Sequence, residues 1–381
     1  MFSENQGCYT SPNRMKLISI FNNKGGVGKT TLTFHIAHAL AEMGHKTLLI
    51  DLDPQCNLTI QALPEEIIHS IWEREDDFID DFKTARSKAT TAEFSALISS
   101  TRTIHFLIKP TEDGVTDVEF LSPPAVLAPN LDLIPGRLSM HLFEDKLSRR
   151  WSDVYQGDPL AIRTATRVRE VARQYADAHT YDYVIVDTSP SLGMLNKVII
   201  STADGFLIPC MPDLFSLYGI RNIGQALGIW KREFDTIYQL LSEGKRASFP
   251  AHFVQLLGFT IYNARKYSGE RNPWDLAAGH YNYACQIPEA ITRFIPERIR
   301  AGLSAEVMSR PIGETAVMHS HNTLPSMGQK YHLPIWRLPG SDALESEDAM
   351  TIRGNRQNYE ATRAGYHAFV SDMLSRMESL E

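Results

Sequence analysis

Residues 24–31 read Lys-Gly-Gly-Val-Gly-Lys-Thr-Thr, and this segment constrains the fold of the chain more than any other. The apolar residues 17–21 before it are typical of a strand. Apolar residues at helical spacing follow it until Gly44, which is expected to end the helix. A glycine-rich turn between a strand and a helix directs backbone N–H groups and the positive helix end at one point, where phosphate is held. The sequence therefore predicts a nucleoside triphosphate site.

The candidate nucleotide-binding residues are those of this loop: Lys24, Gly25, Gly26, Val27, Gly28, Lys29, Thr30 and Thr31. Lys29 is expected to reach the outer phosphates, and the Thr30 hydroxyl to bind Mg²⁺. Lys24 is a second cation that the ordinary phosphate loop does not use. The ordinary loop also has a glycine where this chain has Asn23. Lys24 is therefore either a specialised residue or a solvated lysine beside a plain nucleotide site.

Acidic residues follow two further predicted strands. Asp51 and Asp53 come at the end of the apolar residues 47–50, and the two-residue period of a strand points both carboxylates to the same side. Asp187 ends the apolar residues 183–186, which are typical of a strand covered on both faces. Because ligands bind at the carboxyl ends of parallel strands, we expect Asp187 to bind magnesium. Asp51 could instead cap a turn or helix.

The loop resembles the deviant Walker A box of the ParA/MinD family of dimerising ATPases, and residues 183–187 resemble its Walker B strand. The resemblance implies that Lys24 crosses to the partner subunit and contacts the phosphates bound there, as an arginine finger does. It also implies that Asp53 positions the attacking water and that Asp51 acts through the hydration shell of magnesium. Lys24, Lys29 and Asp53 are thus the expected catalytic residues.

Other segments resemble this family less specifically. Residues 206–219 are similar to the strand and turn that lie beside the base and ribose, and residues 257–265 to the next strand and its loop. The resemblance implies base contacts from Pro212, Asp213 and Asn263. Residues 324–329 resemble a short switch-like segment, and the residues from Tyr359 onward resemble the closing helix.

The organisation predicted for the 381 residues is a loose tail over 1–14 and one domain over 15–381. Its fold is expected to be α/β, with a mostly parallel sheet and helices on both faces. No apolar run approaches the ~18 residues that span a bilayer, and the tail lacks the apolar core of a secretion signal. A cytoplasmic protein is therefore expected. The four cysteines make no paired spacing and are expected to be reduced thiols, and His35 and His38 are expected in packing or solvent.

Two regions are longer than the resemblance requires. Residues 63–130 begin with many acids, and Ile67, Ile71, Phe78 and Phe82 recur among them at helical spacing. This pattern predicts an amphipathic helix with a negative outer face, which either docks a basic partner segment or is simply solvated. Prolines 123, 124 and 129 predict an extended connector before a strand at 131–134. Residues 266–340 are expected to form loops and short helices over one end of the sheet.

The evidence for DNA binding is mixed. Relatives in this family that partition DNA bind it without sequence preference as ATP-bound dimers, through arginines and lysines. Arg265 matches one such residue, whereas residues 317–322 lack a second expected cation. Arg353, Arg356 and Arg363 could replace it or form a solvated face. The net charge of -7 disfavours a broad basic surface, although a local patch is sufficient. The fourteen residues of the predicted tail are too few for a helix-turn-helix domain, so none is expected before the loop.

The leading hypothesis is an ATP-dependent switch that hydrolyses ATP to ADP and phosphate. With ATP and Mg²⁺ it would form a homodimer, bind DNA non-specifically and act with a partner protein, either ParB-like or an adjacent effector, in plasmid or chromosome partition. The alternative is an accessory ATPase that positions a protein cargo or regulates an effector without binding DNA. The acidic insertion and the missing arginine favour that alternative.

Two further classes are weighed. Membrane positioning would use the apolar face of the last helix, but the acids on its outer face, Asp372, Glu378 and Glu381, disfavour anionic lipid. No membrane partner is therefore predicted. A ligase or an iron–sulfur reductase would share the loop. The sequence offers neither a recognisable substrate pocket for the first nor bridging cysteines for the second.

Overall fold

The structure, a computed structural model, describes residues 15–115, 121–246, 249–264, 272–314, 316–319 and 324–380. Eight strands in these residues form one sheet: β1 (Lys16–Ile20), β2 (Thr47–Asp51), β3 (Ala125–Ala128), β4 (Leu131–Ile134), β5 (Tyr183–Asp187), β6 (Gly205–Cys210), β7 (Gln255–Ala264) and β8 (Ala316–His319). Their order across the sheet is β3-β4-β2-β5-β1-β6-β7-β8.

Every neighbouring pair of strands is parallel except β3 and β4. The predicted mostly parallel α/β sheet is therefore confirmed. At the centre, β5 lies between β1 and β2, and its last residue, Asp187, is in register with Ile20 on one side and with Asp51 on the other. Because all three strands end at the same edge, the phosphate loop and both acidic strand ends meet there.

The first ten helices are α1 (Lys29–Glu42), α2 (Asn57–Ala62), α3 (Glu65–Glu73), α4 (Asp76–Asp80), α5 (Phe82–Lys88), α6 (Thr91–Ile98), α7 (Ile104–Asp113), α8 (Met140–Tyr155), α9 (Pro159–His179) and α10 (Met194–Thr202). As predicted, α1 follows the phosphate loop directly and ends just before Gly44, which has a φ of 93°. That left-handed conformation suits glycine and stops the helix.

The remaining helices are α11 (Leu214–Leu240), α12 (Glu243–Arg246), α13 (Ala278–Ala284), α14 (Ile287–Phe294), α15 (Glu297–Arg300), α16 (Ala305–Met308), α17 (Leu324–Lys330), the 3₁₀ helix Ile335–Gly340, α18 (Ser346–Gly354) and α19 (Arg356–Glu378). The expanded region from residue 266 thus contains short helices, as predicted, but it also contains the edge strand β8, which the prediction of loops and short helices did not include. The switch-like segment forms α17, and the closing helix is α19.

The sheet is covered on both faces, and each face has its own apolar core. Along β1, Leu17 packs in the core formed with α7 to α11, whereas Ile18 and Ile20 pack in the core formed with α1 and α19. Strand side chains alternate between the two faces, so a strand with two covered faces is apolar at nearly every position. His35 and His38 of α1 are fully buried or nearly so, as expected for packing residues.

The acidic insertion differs from its prediction, because three short helices, α3 to α5, replace the single amphipathic helix. Asp81 separates α4 from α5. Its side chain accepts a hydrogen bond from the backbone N–H of Thr84, which makes it the N-cap of α5. Ile67, expected on the buried face, is 47% exposed, and its neighbour Ile68 is buried instead. Both Ile67 and Ile68 fit the 3.6-residue period of a helix. Because the helix is broken into short pieces, their different orientations decide which of the two side chains faces the core.

One acid of the insertion is not on an outer face at all. Glu75 is fully buried, and its carboxylate accepts hydrogen bonds from the backbone N–H and the hydroxyl of Thr103, at 2.7 and 2.6 Å. The side chains of Arg102 and Arg137 lie at 3.8 and 3.5 Å from it. Burial raises the pKa of Glu75 to about 7 in spite of these partners. Glu75 therefore ties the insertion to the body of the protein.

The predicted extended connector contains a strand. β3 pairs antiparallel with β4 at the edge of the sheet, with Asn130 in a left-handed turn between them. The prolines at 123, 124 and 129 lie outside β3. They flank the strand and therefore remove no backbone hydrogen-bond donor from it. A four-residue edge strand is too short to be distinguished from a connector by its pattern alone.

The C-terminal helices are fastened to the far end of α1 through Glu42. This carboxylate accepts hydrogen bonds from the side chains of Trp336, Arg337, Arg363 and His367, at 2.8–3.2 Å. These donors outweigh the effect of burial and lower the pKa of Glu42 to about 2. The helix that carries two of them is therefore anchored by charge as well as by packing.

The apolar side chains of α19 are part of the core. Tyr359, Tyr366, Phe369, Met373 and Met377 are all buried, so this face is not available to lipid. Over the residues that the structure describes, no helix combines the length and the apolar character needed to cross a bilayer.

Candidate nucleotide-binding site

The phosphate loop is held in the conformation that its glycines permit. Gly26 and Gly28 have φ values of 71° and 76°, in the left-handed region that favours glycine. A Cβ atom at Gly28 would also overlap the ring of Tyr262, which reaches under the loop from β7. Only glycine satisfies both the backbone angle and this close approach.

Lys29 lies at the first position of α1, with its ammonium group inside the loop. Its side chain is almost completely buried, and Nζ donates a hydrogen bond to the backbone carbonyl of Lys24 at 3.3 Å. Burial lowers the pKa of Lys29, while the charges of Asp187 and Asp53 raise it. The cation is thus already placed over the cradle of backbone N–H groups, where outer phosphates would bind.

Asp187 is fully buried, and neither carboxylate oxygen has a hydrogen bond of good geometry to any described residue. Burial raises the pKa of this carboxyl, and the charge of Asp51 raises it further; the Thr30 hydroxyl and Lys29 beside it act in the opposite direction. A buried carboxylate without donors is costly unless a cation binds it. The site therefore fits a hard cation such as Mg²⁺, with Asp187 and Thr30 as the residues that would hold it.

The protein would supply only part of the coordination of such a cation. In the described part of the chain, no three His, Cys, Asp or Glu side chains form a group that could hold a metal ion. Mg²⁺ usually keeps several waters and binds one or two carboxylates together with substrate phosphates. The arrangement therefore suits a cation that arrives with a nucleotide.

Asp51 is committed to contacts within the protein. Its Oδ2 accepts hydrogen bonds from the backbone N–H and the hydroxyl of Thr59, at 2.8 and 2.6 Å, and its Oδ1 accepts one from the N–H of Asp53 at 3.2 Å. Burial raises its pKa, and the hydrogen bonds from Thr59 oppose the shift. The capping alternative describes these contacts, and the magnesium role of Asp51 stays a prediction.

Asp53 lies close to Lys29 but is oriented by its own turn. Its Oδ1 accepts a hydrogen bond from the backbone N–H of Gln55 at 2.9 Å, and the side chain is 5% exposed. Its charge acts directly on the ammonium of Lys29. Asp53 and Asp187 thus both act by their charge on the Lys29 ammonium beside the loop. The role of Asp53 in positioning the attacking water stays a prediction.

Lys24 points away from the loop in the single chain. Its ammonium is 2.5 Å from Oδ2 of Asp213, the residue that caps α11, and 5.6 Å from the ring centroid of Phe215. Asp213, a predicted base contact, is therefore paired with a lysine in this structure. Pro212 precedes it and is buried. The side chain of Asn263 and the whole of Arg265 lie outside the described residues.

The other candidate DNA residues are exposed, but two of them have acidic partners. Arg356 pairs with Glu360 within α19, and Arg363 pairs with Glu42, each at 2.9 Å. Arg353 is exposed at the end of α18. These ion pairs reduce the positive field that the three arginines present together.

Sequence reasoning missed the residues that support Asp51. The Thr59 hydroxyl accepts a hydrogen bond from the N–H of Gly136 at 2.7 Å, and the Gly136 carbonyl accepts one from the Trp72 indole at 3.1 Å. A chain of hydrogen bonds thus runs from the acidic insertion to the acidic strand end. The only signal for it is that Gly136 follows β4, which ends at the same edge of the sheet as β2.

A strand, a glycine-rich loop, a helix and an acidic strand end beside them define a P-loop nucleoside triphosphatase. A sequence profile described as an AAA domain matches residues 15–239, more than half of the chain. Soj, a sporulation initiation inhibitor protein of Bacillus subtilis, is 27% identical over 235 residues, which cover 60% of this chain and 70% of Soj. The chromosome partitioning protein ParA of Caulobacter vibrioides is 25% identical over 303 residues, covering 79% and 88% of the two chains.

The chain belongs to the ParA/MinD-like ATPases within this P-loop class. An uncharacterised protein of Methanocaldococcus jannaschii, MJECL24, is 30% identical over 207 residues, and the match covers 54% of this chain and 63% of that protein. The fold agrees with solved structures. DIP2308 of Corynebacterium diphtheriae has a TM-score of 0.59 at 23% identity, covering 85% of this chain and 98% of that one. The pNOB8 ParA structure has a TM-score of 0.53 at 20% identity, covering 96% and 99%.

Proposed function

We propose that this chain is an ATP-driven dimerisation switch. Two copies would close face to face over two bound ATP molecules, each Lys24 would contact the phosphates held by the other copy, and hydrolysis to ADP and phosphate would separate them. The observation that carries the proposal is the division of labour between the two loop lysines. Lys29 lies inside its own loop, whereas the Lys24 ammonium points outward to a partly exposed ion pair.

Within one subunit, the backbone N–H groups of residues 25–30 and the Lys29 ammonium would bind the phosphates. Mg²⁺, held by Asp187 and Thr30, would neutralise charge on the phosphate oxygens. A solved complex of a Cyanothece McdA variant with ATP, at a TM-score of 0.53 and 15% identity, shows that a protein of this fold binds ATP. Asp53 would orient the attacking water, and the second subunit would exclude bulk water and bring the remaining cation.

Non-specific DNA and a partner protein are the proposed ligands of the ATP-bound dimer. The name of the chromosome partitioning protein ParA of Caulobacter vibrioides supports a role in plasmid or chromosome partition, and a solved structure of pNOB8 ParA is a complex with non-specific DNA. The test is a DNA-shift assay at stated salt. Binding that requires ATP and weakens steeply as salt rises supports this role, because such binding releases counterions from DNA.

The second candidate is a regulator of a protein cargo or effector that does not bind DNA. Two observations favour it: Arg356 and Arg363 are paired with acids, and acidic residues of the insertion such as Glu65 and Asp77 are exposed. ATP-dependent dimerisation without any DNA shift at low salt would select this candidate.

The dimer itself is tested by two substitutions in the loop. Lys29→Ala is expected to abolish ATP binding. Lys24→Ala is expected to leave ATP bound and to suppress dimer formation or hydrolysis, because the lysine acts on the other subunit. Lys88→Ala, an exposed lysine at the end of α5, is the control. Equal loss of ATP binding in both loop variants, measured by calorimetry, would contradict the division of labour.

The water-positioning role needs its own variant. Asp53→Ala is expected to bind ATP and to remain dimeric, because the substitution removes the group that orients water and leaves the phosphate ligands in place. Sedimentation after addition of ATP measures the trapped dimer, and phosphate release measures turnover. Normal turnover by Asp53→Ala would refute this role.

A further inference from the structure

The ion pair between Lys24 and Asp213 joins residues that are 189 positions apart in the chain. The Lys24 side chain is 24% exposed and the Asp213 side chain 30% exposed, so the pair is partly shielded from water. The ring of Phe215, 5.6 Å from the ammonium, adds a cation–π contact on the same side. The lysine therefore has a defined resting place on its own subunit.

Asp213 is held rigidly at this place. Its Oδ1 accepts a hydrogen bond from the backbone N–H of Ser216 at 2.9 Å, which leaves Oδ2 to face Lys24. The helix that it caps, α11, is 27 residues long, and Ile220 and Ile223 in its next turns are completely buried. The hydrogen bonds from Lys24 and Ser216 also hold the pKa of Asp213 below its ordinary value of 3.8, in spite of burial. The acceptor is thus a fixed, ionised group.

Apart from its contacts with Asp213 and Phe215, Lys24 is fixed only through its backbone. Its N–H donates to Oδ1 of Asn22 at 3.0 Å, and its carbonyl accepts from Nζ of Lys29. The long side chain is free to rotate about these points if the contact with Asp213 is broken. The same residue can therefore occupy two positions without any change in the loop backbone.

We propose that Asp213 is a positioning residue that latches Lys24 onto its own subunit until ATP-bound copies meet. The inference rests on the proposed function, because in its alternative position Lys24 would contact the phosphates of the ATP that a second copy binds. Closure of the dimer would exchange the Asp213 contact for the phosphates, and it would break two such ion pairs at once. The latch thereby lowers dimer formation and disfavours premature closure, since stabilising the open state shifts the equilibrium away from the closed one.

The test is the substitution Asp213→Asn. An asparagine Oδ1 can still accept the N–H of Ser216 and cap α11, but the charge that holds Lys24 is gone. A partly exposed ion pair changes an equilibrium constant by about threefold, so the loss of two pairs is expected to tighten dimerisation by about tenfold. The measurement is the dimer dissociation constant from sedimentation with Mg²⁺ and a non-hydrolysable ATP analogue.

A structural effect of the substitution is separated from the latch by a double-mutant cycle. In the Lys24→Ala background, where dimer formation is already weakened and no lysine remains to be held, Asp213→Asn is expected to leave the dimer dissociation constant at the Lys24→Ala value, read at raised protein concentration. The acetylation rate of Lys24 by a water-soluble reagent, followed by mass spectrometry, provides a second readout. We expect Lys24 to react faster in Asp213→Asn than in the unaltered nucleotide-free protein, because its amine is no longer held.

The possible outcomes distinguish failure of the dimerisation switch from failure of the Asp213 latch. If the unaltered protein stays monomeric with the analogue, the proposed function fails. If it dimerises while Asp213→Asn dimerises equally or more weakly, the latch alone is refuted. If Asp213→Asn lowers thermal stability, Asp213→Ser, which also caps helices, replaces it with the same expected result. Acetylation of Lys24 at an equal rate in every variant would also overturn the latch.

Discussion

A carboxylate lies at each end of α1, and the two are in opposite circumstances: Glu42 is the last residue of the helix, and Asp187 of β5 lies beside its beginning. At the C-terminal end, Glu42 accepts hydrogen bonds from four side chains, and its pKa falls to about 2. Next to the N-terminal end, Asp187 is more deeply buried than Glu42 but has no donor of good geometry among the described residues, and burial raises its pKa. One helix thus separates a fully satisfied acid from an unsatisfied one.

The contrast shows how a structural acid differs from a ligand-binding acid. Buried polar groups in folded proteins almost always have partners, so an acid without one indicates a missing ligand. Glu42 stabilises the attachment of the C-terminal helices and needs nothing further. Asp187 has no such set of donors among the described residues, which is the property expected of an acid that would bind a cation arriving with a nucleotide.

The largest expected effect comes from Asp187→Asn. We expect Mg²⁺-dependent ATP binding to weaken by about 100-fold, because the metal loses its charged protein ligand. The nucleotide-free protein should become more stable to urea by about 1 kcal/mol, because an unsatisfied buried acid is removed. Calorimetry and urea unfolding measure the two effects. Asp177→Asn, on the exposed face of α9, is the control and should change neither. A loss of stability in Asp187→Asn would refute the contrast with Glu42.

Glu42→Gln is expected to have the opposite pattern. The pKa of Glu42 falls from 4.5 to about 2, which at about 1.4 kcal/mol per pH unit corresponds to about 3.5 kcal/mol; because the group is partly open to water, screening reduces its contribution to folding to about 2 kcal/mol. Its loss should lower stability to urea by that amount and leave ATP affinity within about twofold. Glu360→Gln removes an exposed pair with Arg356 and should cost less than about 0.5 kcal/mol. Equal costs for the two variants would show that Glu42 is not a buried anchor.

The pH dependence of this contribution has a defined sign. A carboxyl with a lowered pKa in the folded state stabilises the protein fully above its ordinary pKa of 4.5, and the contribution is lost as the pH falls towards 2. The stability difference between the unaltered protein and Glu42→Gln should therefore be constant above pH 5 and shrink by about 1 kcal/mol or more at pH 3. Urea unfolding across this range measures it. A difference that does not change with pH would mean that the shift has another origin.

The smallest effect is expected at the connection between the insertion and the site. Trp72→Phe keeps most of the ring but removes the hydrogen bond to the Gly136 carbonyl, at a cost of about 1 kcal/mol. ATP turnover should fall by about twofold to fivefold, because Gly136 and Thr59 no longer hold Asp51 as firmly. Trp274→Phe, whose ring packs against Tyr281 away from this chain of contacts, is the control. Unchanged ATP turnover in Trp72→Phe would show that this contact of the insertion does not affect ATP hydrolysis.

Local pattern was sufficient to predict the phosphate loop, the strands on either side of it and the mostly parallel sheet. Each of these depends on a few consecutive residues, such as the glycines before Lys29 or the apolar run that ends at Asp187. Their meeting at one edge follows from the parallel sheet itself, because the ends of parallel strands are neighbours.

The features that sequence did not predict depend on contacts between distant residues. Glu75 was expected on a solvated face, but its partners are Thr103 and two arginines far from its own helix. The donors of Glu42, such as Trp336 and Arg363, come from the C-terminal part of the chain. Helical spacing also could not choose between Ile67 and Ile68, because the helix breaks within a few turns. These contacts depend on the tertiary structure, and the spacing of apolar residues along the chain does not specify them.

The ring of Tyr262 beneath Gly28 has a consequence for how this protein can diverge. A smaller residue at 262 would open a void under the loop, and a larger residue at 28 would collide with the ring, so neither position can drift independently of the other. Descendants of this chain must either keep the pair or replace both partners together. The Tyr262 ring therefore fixes the shape of the loop from one generation of sequences to the next. It does so although it lies on β7, two strands away from β1 in the sheet.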